Sequence, residues 1–352
     1  MVHVPRQTHT DYRHPYRPAP IALINQAGEA LRGIGLRSAP LPADALIAAT
    51  GLDRVDDDPA YRDRLERLVA AIEAEARLHP LGRILARQNL LRMVGQRRRL
   101  LEAFRDRADL VATPLTPPVV IAGLQRTGTT VLHRLLACDP GFRHLPSWEA
   151  VSPLPSRGWP LGDPRRHLAR VAQGLVSYLA PDFFAIHPIE ADSPEEDCLL
   201  FDLEVFGTVP EATMWVPSFS AHLETLDHRD AYRFLDRLLR LLIALRPADR
   251  WVLKTPQHLE QMPALLAVWP GARILWPHRD PPRVIASFCS MMAHGYGIFS
   301  DHVDPVAVGR HWLRKAERMV AAALAARDAA PPETFLDVAY GDLVAAPLAV
   351  VR

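Results

Sequence analysis

Residues 117–140, PPVVIAGLQRTGTTVLHRLLACDP, decide the fold. Pro117 to Leu124 is a short apolar run, rich in β-branched residues and bounded by turn signals, which predicts a buried strand. Val131 to Pro140 carries apolar residues at helical spacing, so GLQRTGTT joins strand to helix through a glycine-containing loop. Gly123 and Gly128 keep the spacing of the phosphate-loop pattern GxxxxGK[ST], in which backbone N–H groups and the following helix N-terminus bind an anion. Thr129 replaces the lysine of that pattern, and the loop cation is Arg126. An ordinary nucleoside triphosphatase loses its β- and γ-phosphate contact by this change.

Further strand and helix patterns follow. RWVLK (250–254) reads as a buried strand before a helix in HLEQMPALLAVW (258–269). ARILWPHR (272–279) reads as a strand before a helix in PPRVIASFCSMM (281–292), whose two prolines are tolerated in a first turn. ETFLDVAY (333–340) is a fourth strand. This alternation predicts an α/β, P-loop-like, mostly parallel sheet flanked by helices.

Before residue 116 the pattern is helical. Leu65, Leu68, Val69 and Ile72, and then Ile84, Leu85, Leu91 and Val94, recur at three- and four-residue steps. The expected organisation is an N-terminal arm at 1–20, a helical region at 21–115 and a nucleotide-binding domain at 116–352. The Arg97-Arg98-Arg99 run reads as a solvated helix face. Residues 144–165 and 171–228, the latter without Lys or Arg, are long non-strand stretches of the kind that supply the substrate side of an α/β site. Within them Ser193 to Glu196 fits S-x-x-E with Pro194 at the first helical position, so a capped helix start accounts for the acids from Glu190 to Asp197.

With 352 residues, 49% hydrophobic and 23% charged, the chain is neither disordered nor low-complexity. Its 41 basic and 40 acidic residues exclude a nucleic-acid-coating protein but leave room for a small anionic ligand. Lys254 and Lys315 are the only lysines. Cys138, Cys198 and Cys289 lack ligand spacing and read as small core residues, with no metal site. No apolar stretch has the length of a signal or spanning segment, so a cytoplasmic protein without integral membrane association is expected.

Strand, loop and helix with R-T-G-T-T resemble the 5′-phosphosulfate loop of the sulfotransferase superfamily, which uses 3′-phosphoadenosine 5′-phosphosulfate. Three more elements follow in the same order. HRDPPRVIAS resembles the strand-end Arg and the Ser eight residues later that hold the 3′-phosphate, here Arg279 and Ser287. WVLKTP resembles the strand-Lys element with Lys254, and VAYGDL the strand-Tyr-x-Asp-Leu element with Tyr340. ADSPEED, WVLKTPQHL and HRDP look most like the bacterial branch that acts on small molecules. The resemblance spans about 115–352. It implies that Arg126, Thr127, Gly128, Thr129, Thr130, Arg279, Ser287 and Tyr340 bind the donor and that no metal takes part. Relatives continue past the point where this chain ends, AAPLAVVR, and close part of the nucleotide pocket there, so either an apparently truncated domain or an unusually open site is expected.

In-line sulfuryl transfer builds charge on the equatorial and departing oxygens, which Arg126 and Lys254 are suited to meet. The acceptor hydroxyl needs a base. Glu149, His144, His187 and Glu190 are candidates. Glu149 lies 23 residues after Arg126, close to the spacing of the base in the tyrosylprotein branch, while Pro256 stands where cytosolic relatives place a histidine. Glu149 is therefore preferred, with His187 and Glu190 as substrate contacts. Aromatic and Pro-rich segments such as MWVPSF suggest a partly apolar acceptor pocket for a small-molecule, lipid or glycan hydroxyl. The alternatives are a nucleotide-dependent kinase needing magnesium, and a non-catalytic scaffold with a vestigial nucleotide site.

Overall fold

In the computed structural model, which describes residues 11–35, 41–155 and 163–352, five strands form one parallel sheet. They are β1 (Val119–Ile121), β2 (Phe142–Arg143), β3 (Arg250–Lys254), β4 (Arg273–His278) and β5 (Phe335–Ala339), in the order β2-β3-β1-β4-β5. The α/β reading therefore holds, with β2 as an edge strand that two residues are too short to announce in sequence.

Alternation along the central strands divides the core. Val120, Leu253 and Ile274 point to the face covered by the N-terminal helices, where Leu65, Leu68, Leu90, Met93 and Trp251 join one cluster. Val119, Ile121 and Val252 point to the other, against Leu132 and Leu343 from the helices Thr129–Leu136 and Tyr340–Ala345. Burial on both faces explains why the strands read as apolar runs. A third cluster joins Phe288, Met292 and Tyr296 of the helix Pro281–Phe299 to Val308 and Trp312 of Pro305–Ala329.

Four local expectations are corrected. Residues 193–196 form no helix: Ser147 N–H donates to the Ser193 carbonyl and Glu195 N–H to the Leu145 carbonyl, so tertiary pairing claims the backbone that a first turn needs. The helix expected over 258–269 is two, Gln257–Glu260 and Met262–Val268, because Pro263 cannot donate back across the junction. Arg97 is not on a solvated face but 4% exposed, paired with Asp56 and Glu204 and stacked on Tyr61. Of the cysteines only Cys198 is buried; Cys138 is exposed.

Of the arm, residues 1–10 lie outside the described set. Its remainder is tied down by Tyr12 to Ser290 (2.8 Å) and Arg17 to Asp301 (2.8 Å). Part of the Pro-rich stretch at 144–165, residues 156–162, is also outside that set. Among the described residues no helix is long and apolar enough to cross a membrane.

Candidate active site

The chain leaves β1 for the strands on one side, β2 and β3, and then crosses to β4 and β5 on the other. That reversal opens a crevice at the C-terminal ends of the strands, where open parallel sheets bind ligands. Register determines what lines it. Lys254 ends β3 level with Ile121, the end of β1. Arg279 and Tyr340 each follow the paired ends of β4 and β5, His278 and Ala339. Lys254 and Arg279 thus flank the glycine loop from opposite sides.

The loop itself turns through two left-handed residues, Arg126 (φ 70°) and Gly128 (φ 91°). A Cβ at Gly128 would stand 2.9 Å from Leu343 and 3.1 Å from Tyr340, so glycine is required for conformation and for closeness. At Arg126 the same region costs on the order of 1–3 kcal/mol. The bend is held by Thr127 Oγ1 donating to the Leu124 carbonyl (2.7 Å) and Arg279 Nη1 donating to the Arg126 carbonyl (2.9 Å). Among the described residues no well-aligned hydrogen bond takes the N–H groups of residues 125, 126 and 128–130, which leaves donors for an anion. Thr127 and Thr129 are buried and Thr130 is exposed.

Charge is arranged to match. Arg126 Nε donates to Ser287 Oγ (3.1 Å) and Nη1 to the Ile186 carbonyl (3.0 Å), while Arg279 stacks 4.2 Å above the Tyr340 ring. Neither guanidinium meets a carboxylate among the described residues. Burial, and then the neighbouring Arg279, holds Arg126 below its ordinary value, against the opposing pull of Tyr340. Two half-buried cations without a counter-charge repel one another until an anion joins them. Arg126 belongs, by the resemblance, with the 5′-phosphosulfate loop, apart from the Arg279 and Ser287 of the 3′-phosphate. Its backbone does belong to the loop, but its side chain reaches Ser287, so it borders both places.

On the other flank the Lys254 side chain is 4% exposed, with Nζ 2.6 Å from Glu196 Oε1. Its N–H donates to Asp197 Oδ1 (2.9 Å), Asp197 Oδ2 lies 3.0 Å from His258 Nε2, and His258 Nδ1 is 2.8 Å from the Tyr232 hydroxyl. His258, expected only to start a helix, is fully buried in this chain of contacts. His133, on the loop helix, is also buried; burial, then Lys254 and His144, presses its pKa well down and keeps the ring neutral.

Glu149 is elsewhere engaged. Its Oε2 accepts from Arg143 (2.5 Å) and Arg246 (3.4 Å) in a pair beneath the sheet edge, where burial raises its pKa against the pull of Arg143. His187 follows the helix Pro181–Ile186, one residue beyond the carbonyl that Arg126 contacts. Glu190 accepts from Ser193 (2.5 Å) and from Arg134 on the loop helix (3.3 Å). Sequence reasoning therefore missed Glu196 and Asp197 as partners of Lys254. The available signal was an acidic cluster in a stretch without basic residues, in a chain with only two lysines.

The model of the sulfotransferase family matches residues 117–352, and the chain belongs to that family. Two solved structures resemble it over most of its length. The crystal structure of sulfotransferase STF1 from Mycobacterium tuberculosis H37Rv shares 30% identity with a TM-score of 0.78, covering 90% of this chain and 88% of that one. For sulfotransferase STF9 from Mycobacterium avium the values are 26% and 0.77, covering 88% and 80%. No curated protein sequence matches the chain.

Proposed function

We propose that the chain transfers a sulfuryl group from 3′-phosphoadenosine 5′-phosphosulfate to a hydroxyl of a small-molecule, lipid or glycan acceptor. The observation that carries this reading is the uncompensated pair Arg126 and Arg279, with Ser287 and Tyr340 beside it and a loop of free N–H donors adjoining. That set fits a ligand with two separate anionic groups. Arg279 and Ser287 hold the 3′-phosphate, and the N–H groups of 125, 126 and 128–130 with the Thr127, Thr129 and Thr130 hydroxyls hold the 5′-phosphosulfate. Arg126 spans the two, and Tyr340 backs Arg279 and the Gly128 turn.

When bound, the donor supplies an activated sulfur. The acceptor oxygen bonds to that sulfur while the bond to the bridging oxygen breaks, and the electron pair stays on the phosphate. Lys254, a compact cation at a rigid strand end, meets that charge. A cytoplasmic location agrees with dependence on this nucleotide. A phosphate-transferring kinase would need a divalent cation instead.

The test is calorimetric titration with 3′-phosphoadenosine 5′-phosphate, followed by a screen of hydroxylated metabolites with labelled donor, read as mass gain of one sulfuryl group without added metal. Failure to bind the nucleotide at millimolar concentration refutes the reading.

A further inference from the structure

We propose that the outer face of the helix Arg165–Leu179 docks on an anionic phospholipid bilayer. Leu168, Val171, Leu175 and Tyr178 recur at three- and four-residue steps along this helix and are 60%, 58%, 47% and 50% exposed. A helix on a protein surface ordinarily turns such a stripe to the core. Here the inward residues are Arg165, Ala169, Gln173 and Val176, all buried or half-buried. Polar tethers hold that side. Arg165 donates to the Ser152 (3.0 Å) and Pro153 (2.7 Å) carbonyls and stacks 4.5 Å over Trp148. Gln173 Oε1 accepts from the Ala191 N–H (3.2 Å). The four outer side chains therefore contribute little to folding and form an apolar face left for a partner.

Charge and size make that partner a lipid surface rather than a second copy of the chain. The helix, RRHLARVAQGLVSYL, holds three arginines and a histidine and no acid. Arg166 and Arg170, both exposed, share the carboxylate of Asp192 at 3.2 and 2.9 Å, so positive charge remains toward solvent. Cations beside an apolar stripe match anionic headgroups above acyl chains, and Tyr178 suits the boundary between the two. A two-fold contact would instead set this acid-free helix against itself, arginine near arginine. The patch is also small, on the order of 400 Å² against the ~800 Å² that each partner gives to a stable dimer.

The chain that leaves this helix borders the candidate active site. Ile186, at the end of the helix Pro181–Ile186, gives its carbonyl to Arg126, and Glu190 meets Arg134 on the loop helix. Ala191 and Asp192, held by Gln173 and Arg170, return that stretch to the docking helix. Of the acceptors in the sulfotransfer reading, on which this sentence alone rests, a lipid hydroxyl is the one that such docking serves.

The experiment sediments the full chain, without nucleotide, with vesicles of phosphatidylcholine and phosphatidylglycerol in equal parts and with vesicles of phosphatidylcholine alone. Binding to the anionic vesicles is expected, weaker by about tenfold or more on phosphatidylcholine alone and in ~0.5 M NaCl. Leu168→Gln with Leu175→Gln should lower vesicle affinity about 10- to 100-fold. Its Tm without vesicles should stay within about 2 °C of the parent, because both positions are exposed. Leu23→Gln with Leu31→Gln, similarly exposed on the helix Ala19–Gly33 but beside Glu29, should bind vesicles as the parent does. A parent that does not sediment with anionic vesicles overturns the proposal, as does sedimentation that the first pair leaves unchanged or that both pairs weaken equally. A parent dimer that Leu168→Gln with Leu175→Gln dissociates, with no vesicle binding, gives the face to a second copy and overturns it too. Calorimetry with 3′-phosphoadenosine 5′-phosphate reports separately on the sulfotransfer reading, since docking is measured with no nucleotide present.

Discussion

Replacing Arg279 by alanine separates the reading of a 3′-phosphate from mere support of the loop. In the free protein Arg279 gives one charged hydrogen bond to the Arg126 carbonyl and one stack on Tyr340. These are worth about 1.5–3 and 0.5–1 kcal/mol. Its removal also relieves repulsion from Arg126, about 2–3 kcal/mol at a half-buried site, so the fold should change by only about 1 kcal/mol. With nucleotide bound, the loss is a guanidinium contact to the 3′-phosphate, which only Arg126 then borders as a cation. About 3–4 kcal/mol, or roughly 150- to 1,000-fold in Kd, is expected. Calorimetry with 3′-phosphoadenosine 5′-phosphate and with AMP, which lacks the 3′-phosphate, reads the two effects apart. The variant should bind AMP within about threefold of the parent while losing the bisphosphate. Equal weakening of both nucleotides would mean that Arg279 acts only through the Arg126 carbonyl, and the assigned role would be wrong.

Lys254→Ala should slow transfer about 100- to 1,000-fold while leaving nucleotide binding within a few-fold, measured by labelled-donor turnover beside calorimetry. Glu149→Gln leaves Arg143, 3% exposed, without its carboxylate; a loss of about 3–5 kcal/mol should appear as a Tm fall of several degrees in a thermal melt. Burial pushes Asp202 up to about 8, with Arg92 pulling the other way, and neither of its oxygens has a well-aligned donor. A raised carboxyl leaves stability complete below about pH 4 and erodes it progressively as pH rises toward 8. Asp202→Asn should therefore raise Tm by several degrees near pH 8 and leave it unchanged near pH 4.

Much of the site was legible because its signals are local. Gly123 and Gly128 mark a turn that only a residue without a Cβ completes against Leu343 and Tyr340. Lys254, Arg279 and Tyr340 each end or directly follow an apolar strand run, Arg126 lies in the loop after β1, and parallel pairing carries such strand ends to one edge. Ser287 follows from the family resemblance, which sets a serine eight residues after the strand-end Arg279, and its hydroxyl meets Arg126. The acidic partner of Lys254 was not legible in this way. Glu196 sits in a segment whose residues match a helix cap, and only the strip at Leu145 to Trp148, by taking hydrogen bonds from and giving them to residues 191–195, holds it extended.

From sequence alone came the parallel α/β architecture, the glycine loop and the positions of the cations around it, since periodicity, glycine spacing and strand-end position are properties of neighbouring residues. Tertiary structure decided which charges neutralise one another: Glu149 went to Arg143 and Arg246, Glu196 to Lys254, and Arg126 and Arg279 to no carboxylate among the described residues. Pairing depends on distances between segments far apart in the chain, and no local pattern encodes them.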